Sequence, residues 1–177
     1  MYSGEFERIG KRLFAEHLVG GNFGNMSVRK GDGFFIKRTG TCLDIATVPV
    51  FVPLSGDAPK EASSEYRVHR GVYATTNHAA IVHAHPPYAV AASLVMNEII
   101  SEDSEGEMLC PRIPVVTGAP GTQEVADNVA RAHISSKLVI VRGHGTFAAG
   151  ATLDEAYVLT SLAEHSCRIL ALKRNFL

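Results

Sequence analysis

Two histidines one residue apart, His83-Ala84-His85, close an apolar run that begins at Ala80. Side chains alternate along a strand, so residues two apart project from the same face and two imidazoles can reach one metal ion. A third histidine, His144, follows another apolar run in Arg142-Gly143-His144-Gly145, where the flanking glycines let the backbone turn and approach closely. Glu65, at the start of a helical stretch upstream, offers a carboxylate to complete the set. Three imidazoles and a displaceable carboxylate suit a catalytic zinc site, which has to open a coordination position. Imidazole suits other divalent transition metals equally, so ligand type does not fix the ion. Spacing alone leaves the alternative open that these are packed or surface histidines and that the H-x-H pattern arose by chance.

A second group combines glycines with small polar residues: Gly24-Asn25-Met26-Ser27, Thr39-Gly40-Thr41 and Ser63-Ser64. Hydroxyls and backbone N–H groups at turns and helix N-termini form anion sites. No basic partner accompanies them, so an anion bound here is expected to be held by neutral donors. The same residue types dominate ordinary turns and caps, which is the competing reading.

These residues need elements to position them. Phe6, Ile9, Leu13 and Phe14 share one helical face over Glu5 to Val19, and Gly20-Gly21 is expected to stop that helix. Short strands are predicted at Asn25-Arg29, Gly33-Lys37 and Val48-Val52, punctuated by glycines as in a meander. Ser63 and Ser64 are the expected N-cap of a helix from Glu65 to about Thr75. A strand over Ala80-His85 ends at Pro86-Pro87, which opens a helix to about Asn97. Glu98 to Pro111 is expected to be a polar loop. Then come a strand at Ile113-Thr117, a helix from Thr122 to Ile134, and strands at Leu138-Arg142 and Thr146-Ala149. Thr152-Leu153-Asp154-Glu155 is a capping box that starts a long helix towards Lys173. Hairpin-linked early strands followed by alternating strands and helices predict an α/β fold, with a mixed, mainly antiparallel central sheet and helices on both faces.

Composition excludes several classes. The chain has 177 residues, 46% hydrophobic and 20% charged, with a net charge of −1. That is a soluble globular profile, sized for one domain spanning 1–177 and able to bury a core without a structural metal. Any bound metal is therefore expected to serve chemistry. The charge balance is wrong for a nucleic-acid partner. The three cysteines, Cys42, Cys110 and Cys167, show no C-x-x-C spacing, which argues against a disulfide framework or zinc ribbon. The charged N-terminus does not read as a signal peptide, and no apolar run approaches the ~20 residues that span a bilayer. No membrane partner is expected, and the cytoplasm is the default compartment.

Taken in order, the segments resemble the class II aldolase/adducin family. They are Gly24-Asn25-Met26-Ser27-Val28-Arg29, Ile36-Lys37-Arg38-Thr39-Gly40, Ser63-Ser64-Glu65 with His69 one turn later, and Val82-His83-Ala84-His85-Pro86. Arg142-Gly143-His144-Gly145 and Gly150-Ala151-Thr152-Leu153-Asp154-Glu155-Ala156 complete the series. The resemblance covers nearly the whole chain and implies a three-layer αβα fold. It implies zinc ligation by His83, His85 and His144, with Glu65 as a fourth ligand that substrate displaces and that then acts as general acid or base. Asn25, Thr39, Gly40, Ser63 and Ser64 would bind a substrate phosphate. The implied reaction is cleavage of a phosphorylated ketose, of the fuculose-1-phosphate type, to dihydroxyacetone phosphate and a short aldehyde such as lactaldehyde. A homotetramer with sites at subunit interfaces is also implied.

Two features of the sugar-cleaving members have no counterpart here. Their interface tyrosine would fall between about Met96 and Cys110, where this chain has Glu98, Asp103, Glu105 and Glu107 but no tyrosine. Glu105 is the candidate substitute, set against a plain solvated loop. The family's C-terminal closing tail also has no match after the last helix. Other branches are epimerases and dehydratases acting on sugar phosphates, and they share the three histidines. A non-catalytic adducin-like module would have lost those ligands. A cupin-type oxygenase would need a glutamate soon after His85, and Pro86 to Ser93 contains none.

Overall fold

In the computed structural model, which describes residues 2–176, eight strands form one sheet. They are β1 (Asn25–Lys30), β2 (Gly33–Ile36), β3 (Val50–Pro53), β4 (Ala80–Ala84), β5 (Glu98–Ile100), β6 (Arg112–Val116), β7 (Leu138–Val141) and β8 (Gly145–Gly150). Their spatial order is β3-β2-β1-β4-β8-β7-β6-β5. Every neighbouring pair is antiparallel except β6 and β7. A parallel pair needs a crossover, and helix α5 (Gln123–Ala132) supplies it between those two strands.

The sheet separates two apolar cores. On one side, Val82 and Ala84 of β4 pack with Ile9 and Leu13 of α1 (Ser3–Ala15) and Ala163 of α6 (Leu153–Lys173), and α3 (Pro87–Val95) joins the same layer through Ala89. On the other, Ile81 packs with Val68 and Val72 of α2 (Tyr66–Thr75) and Val129 of α5. The expected three-layer αβα arrangement is thus the observed one. Alternation along β4 sends His83 to the same side as Ile81, where its ring stacks on Phe147 at 4.0 Å and 12°. That is the side on which α2 begins, directly after Glu65.

Three expectations need correction. The first helix ends at Ala15 because His17 takes a left-handed φ of 57°, so the chain turns before Gly20-Gly21. The serines do not cap α2. Its N-cap is Glu65, with no side-chain capping bond, and Ser63 Oγ instead accepts from the Glu65 N–H at 3.4 Å. The segment from Glu98 to Pro111 is not a loop but strand β5 followed by α4 (Ser104–Leu109). Ile99 is fully buried opposite Ile113, and Asp103 caps α4 by accepting from Gly106 N at 2.8 Å. The capping box of α6 also forms in altered shape. Thr152 Oγ1 accepts from Glu155 N at 3.1 Å, while the Glu155 carboxylate accepts from Ala151 N at 2.7 Å rather than from the cap residue itself.

Close packing ties α1 to the loop after β2. At Gly10 a Cβ would lie 1.9 Å from the Leu43 carbonyl oxygen, so only a glycine lets the helix backbone rest on that loop.

The α2–α5 layer also buries two histidines, His69 and His133. His69 Nδ1 is hydrogen-bonded to Ser27 Oγ at 2.6 Å, which in turn meets Tyr73 OH at 2.7 Å. Burial pushes His69 down to about 3 and His133 down to about 4. Both are therefore neutral in the folded chain, whereas an unfolded histidine takes up its proton near the ordinary value of about 6.5. Their contribution to stability is complete above about pH 6.5 and drains away as pH falls towards 4, because the unfolded chain binds protons first. Urea unfolding of the metal-free protein is expected to show about 4 kcal/mol less stability at pH 5 than at pH 7 from this pair alone. An unchanged midpoint over that interval would mean that the two rings are solvated.

Candidate functional site

The site forms where the end of β4 meets the β7–β8 turn. His83 pairs with Phe147 across the β4–β8 ladder, and its Nδ1 lies 2.9 Å from the carbonyl oxygen of the preceding Thr146. A carbonyl only accepts, so Nδ1 carries the proton and Nε2 presents its lone pair. His85 lies one residue beyond the strand, which ends at Ala84 rather than at His85. Its N–H donates to the Leu18 carbonyl at 2.8 Å, and its Nε2 sits 3.0 Å from His83 Nε2. His144 is delivered by the turn after β7. Gly143 there has a φ of 67°, and a Cβ on Gly145 would come within 2.2 Å of the Ala84 carbonyl oxygen, so the turn packs flush on the end of β4. Arg142 anchors the turn to the C-terminal end of α3 by donating to the carbonyls of Ser93 and Met96 and to Asn97 Oδ1.

The outcome is a triangle of imidazoles with ring centroids 4.8, 4.8 and 5.1 Å apart. One ligand atom from each of the three lies within 4.8 Å of the other two. Burial and, after it, the neighbouring rings hold His83 well below the ordinary histidine range, and the same causes with His144 foremost among the neighbours bring His85 to about 4; burial lowers His144 as well. Neutral imidazoles with converging lone pairs are the form that binds metal.

Glu65 borders the same space and is 5% exposed. One carboxylate oxygen accepts from Gly121 N at 3.0 Å; the other is buried without a protein partner. Burial raises its pKa, against the opposing pull of the Gly121 N–H. A buried carboxylate oxygen and the His144 Nδ1, both without partners beside the imidazole triangle, fit a divalent transition metal and its substrate.

A cavity of about 320 Å³ joins these groups. It brings together Glu65 and the three histidines with Asn25, Thr39, Gly40, Ser63 and Ser64. The four residues read as metal ligands and the five read as phosphate donors therefore line one space, whereas Met26, Ser27 and Thr41 of the same glycine-rich segments do not. Asn25 is buried and its Oδ1 has no partner, while Thr39, Gly40 and Ser64 are exposed at the rim.

The expectation of neutral donors alone does not hold. Lys37, 5% exposed, also lines the cavity. Its ammonium donates to the carbonyls of Asn22 at 2.6 Å and Gly24 at 2.9 Å. Desolvation brings it down to about 8, and among the described residues no carboxylate forms an ion pair with it. The sequence signal was present, since Lys37 stands two residues before Thr39, but a lysine at a strand end reads as a solvated charge. Phe23 was missed as well; it lines the mouth and stacks on His85 at 5.7 Å and 21°. Glu105 does not line the cavity; it is exposed on α4, near Asp103 and His165.

Fold and site together define a three-layer α/β protein whose sheet carries a three-histidine cluster beside a pocket lined mostly by polar groups. Residues 5–171 match the family model described as Class II Aldolase and Adducin N-terminal domain, and the chain belongs to that family. It is 30% identical to the L-fuculose phosphate aldolase of Methanococcus maripaludis, over 97% of each chain. With the L-fuculose phosphate aldolase of Escherichia coli K12 it shares 31% identity, over 85% of this chain and 72% of that one. The crystal structure of l-fuculose-1-phosphate aldolase from Thermus thermophilus superposes with a TM-score of 0.95 at 37% identity, covering 98% of this chain and 94% of the other. The chain is thus a class II aldolase of the fuculose-phosphate-aldolase-like kind. Among the described residues, no helix is long and apolar enough to cross a membrane.

Proposed function

We propose that this chain cleaves a phosphorylated ketose of the fuculose-1-phosphate type to dihydroxyacetone phosphate and a short aldehyde such as lactaldehyde. The observation that carries this reading is the single cavity in which three neutral imidazoles and a half-satisfied buried carboxylate adjoin a set of anion donors. A divalent metal, zinc in this reading, held by His83, His85, His144 and Glu65, supplies Lewis-acid polarisation of the ketose carbonyl.

The chain's own residues do the rest. Asn25, Thr39, Gly40, Ser63 and Ser64 hold the phosphate by hydroxyl, amide and backbone donors, which fixes the scissile bond relative to the imidazoles. Lys37 adds the positive charge that a phosphate dianion calls for, and the dianion gives a buried ammonium the counter-ion that the protein does not provide. Glu65, with its carboxyl pKa raised by burial, handles the proton at the carbon of the dihydroxyacetone phosphate half that carries negative charge after cleavage. The whole chain acts as one domain in this reading. The assembly proposed is a homotetramer, and the apolar hollow of about 390 Å³ between α3 and α6, bordered by the exposed Tyr88 and Val95, supports an interface between copies of the chain.

The test is a metal assay on purified protein coupled to release of dihydroxyacetone phosphate from fuculose 1-phosphate and related ketose 1-phosphates. Release that a chelator abolishes and added zinc restores is the expected result. Metal binding without release would favour an epimerase or dehydratase, a reading supported by the absence of tyrosine between Met96 and Cys110. Absence of metal would leave a binding module.

Lys37 gives a separate prediction. Lys37→Met should raise KM for the phosphorylated substrate about 10–100-fold, the range for a buried charged hydrogen bond of ~1.5–3 kcal/mol, and leave metal content unchanged. Steady-state kinetics with metal analysis checks this; an unaltered KM would confine Lys37 to bracing the Asn22–Gly24 turn.

A further inference from the structure

The cavity walls are polar almost throughout. Beyond Phe23 and Pro120, its lining consists of imidazoles, hydroxyls, amides, Lys37, Glu65 and glycines. Pro120 lies beside Glu65, next to the Gly121 whose N–H binds that carboxylate. Phe23 lies on the His85 side and is 60% exposed, although a phenyl ring gains by leaving water.

The ring is held in that exposed position. Phe23 N–H donates to the Gly20 carbonyl at 3.1 Å. The residues on either side of it, Asn22 and Gly24, are both tied down through their carbonyls by the Lys37 ammonium. Its stacking on His85 fixes the ring plane. A buried lysine thus braces a turn whose tip presents a fixed aromatic surface at the cavity mouth.

We propose that Phe23 is a specificity-determining residue: it forms the apolar wall that receives the aldehyde-derived end of the substrate and favours a terminal methyl over a hydroxymethyl group. This rests on the aldolase reading above. The polar donors and Lys37 are taken by the phosphate, and Glu65 addresses the dihydroxyacetone phosphate half. The other half of the substrate is left to meet the remaining, non-polar wall. A methyl group against a phenyl ring sheds water favourably, whereas a hydroxymethyl group there gives up hydrogen bonds to water and finds no partner on the ring.

The experiment runs the reaction towards synthesis, with dihydroxyacetone phosphate and either lactaldehyde or glyceraldehyde, which differ only in that terminal hydroxyl. Wild type, Phe23→Ala and Phe23→Leu are compared. In Phe23→Ala the lactaldehyde-to-glyceraldehyde ratio of kcat/KM is expected to fall about tenfold, the low end of what one such group contributes in an apolar pocket. Phe23→Leu should recover most of it, with metal content and KM for dihydroxyacetone phosphate unchanged in both variants. An unchanged ratio, or an equal loss with both aldehydes, overturns the assignment. So does metal loss in Phe23→Ala, which would make the ring a shield for His85. A wild-type protein that condenses neither aldehyde overturns the aldolase reading and this assignment with it; the preceding outcomes leave that reading standing.

Discussion

His83→Ala is expected to lose metal and turnover together, with kcat/KM down at least about a thousandfold, or ~4 kcal/mol of transition-state stabilisation. Two roles meet in this ring. Its Nδ1 proton is committed to the Thr146 carbonyl, leaving Nε2 as a fixed lone pair, and its plane lies against Phe147 in the core. Alanine removes a ligand that the protein has oriented from both sides, and it also opens a void in the sheet. His144→Ala separates the two effects, because His144 is only half-buried on the β7–β8 turn and its loss disturbs packing less. Metal analysis, far-UV circular dichroism and turnover on both variants settle the matter. If His144→Ala retained both metal and activity, the three-histidine assignment would be wrong.

Glu65→Gln is expected to act differently. The side chain keeps its length and one oxygen to accept from Gly121 N, so the cavity should hold its shape and its metal. What it loses is the capacity to take and return a proton. Turnover should fall by about 10²–10⁴-fold, the usual contribution of a positioned acid or base. The acidic limb that Glu65 gives the wild-type pH profile should disappear in the residual activity of the variant. Near-normal turnover by Glu65→Gln would falsify the proton-transfer role.

The contrast between Lys37 and His83 shows what sequence can convey about this site. His83 and His85 were legible because strand alternation is enforced by the backbone; even with β4 ending at Ala84, the two rings stay side by side. His144 was legible because its glycines announce a close approach, which the Ala84 carbonyl against Gly145 accounts for. Lys37 was not, since its burial depends on carbonyls of Asn22 and Gly24 from a different part of the chain. The αβα layering followed from hydrophobic periodicity. β5 and α4 escaped it because a three-residue strand and a six-residue helix are too short to show a period, and the carboxylates of that segment masked a buried Ile99. The serines at 63 and 64 have the composition of a cap but line the cavity instead, a choice that composition cannot reveal.

The bare backbone at Gly10 bears on how this protein can be re-engineered. Helix α1 contributes no residue to the cavity lining, so it invites trimming, tagging or replacement as if it were packaging. Yet it rests directly on Leu43, three residues past Gly40, and so acts as a shim against the same loop that carries Thr39 and Gly40. A graft of this cavity onto another scaffold would have to reproduce that shim, thickness included, to keep the loop that carries Thr39 and Gly40 in place.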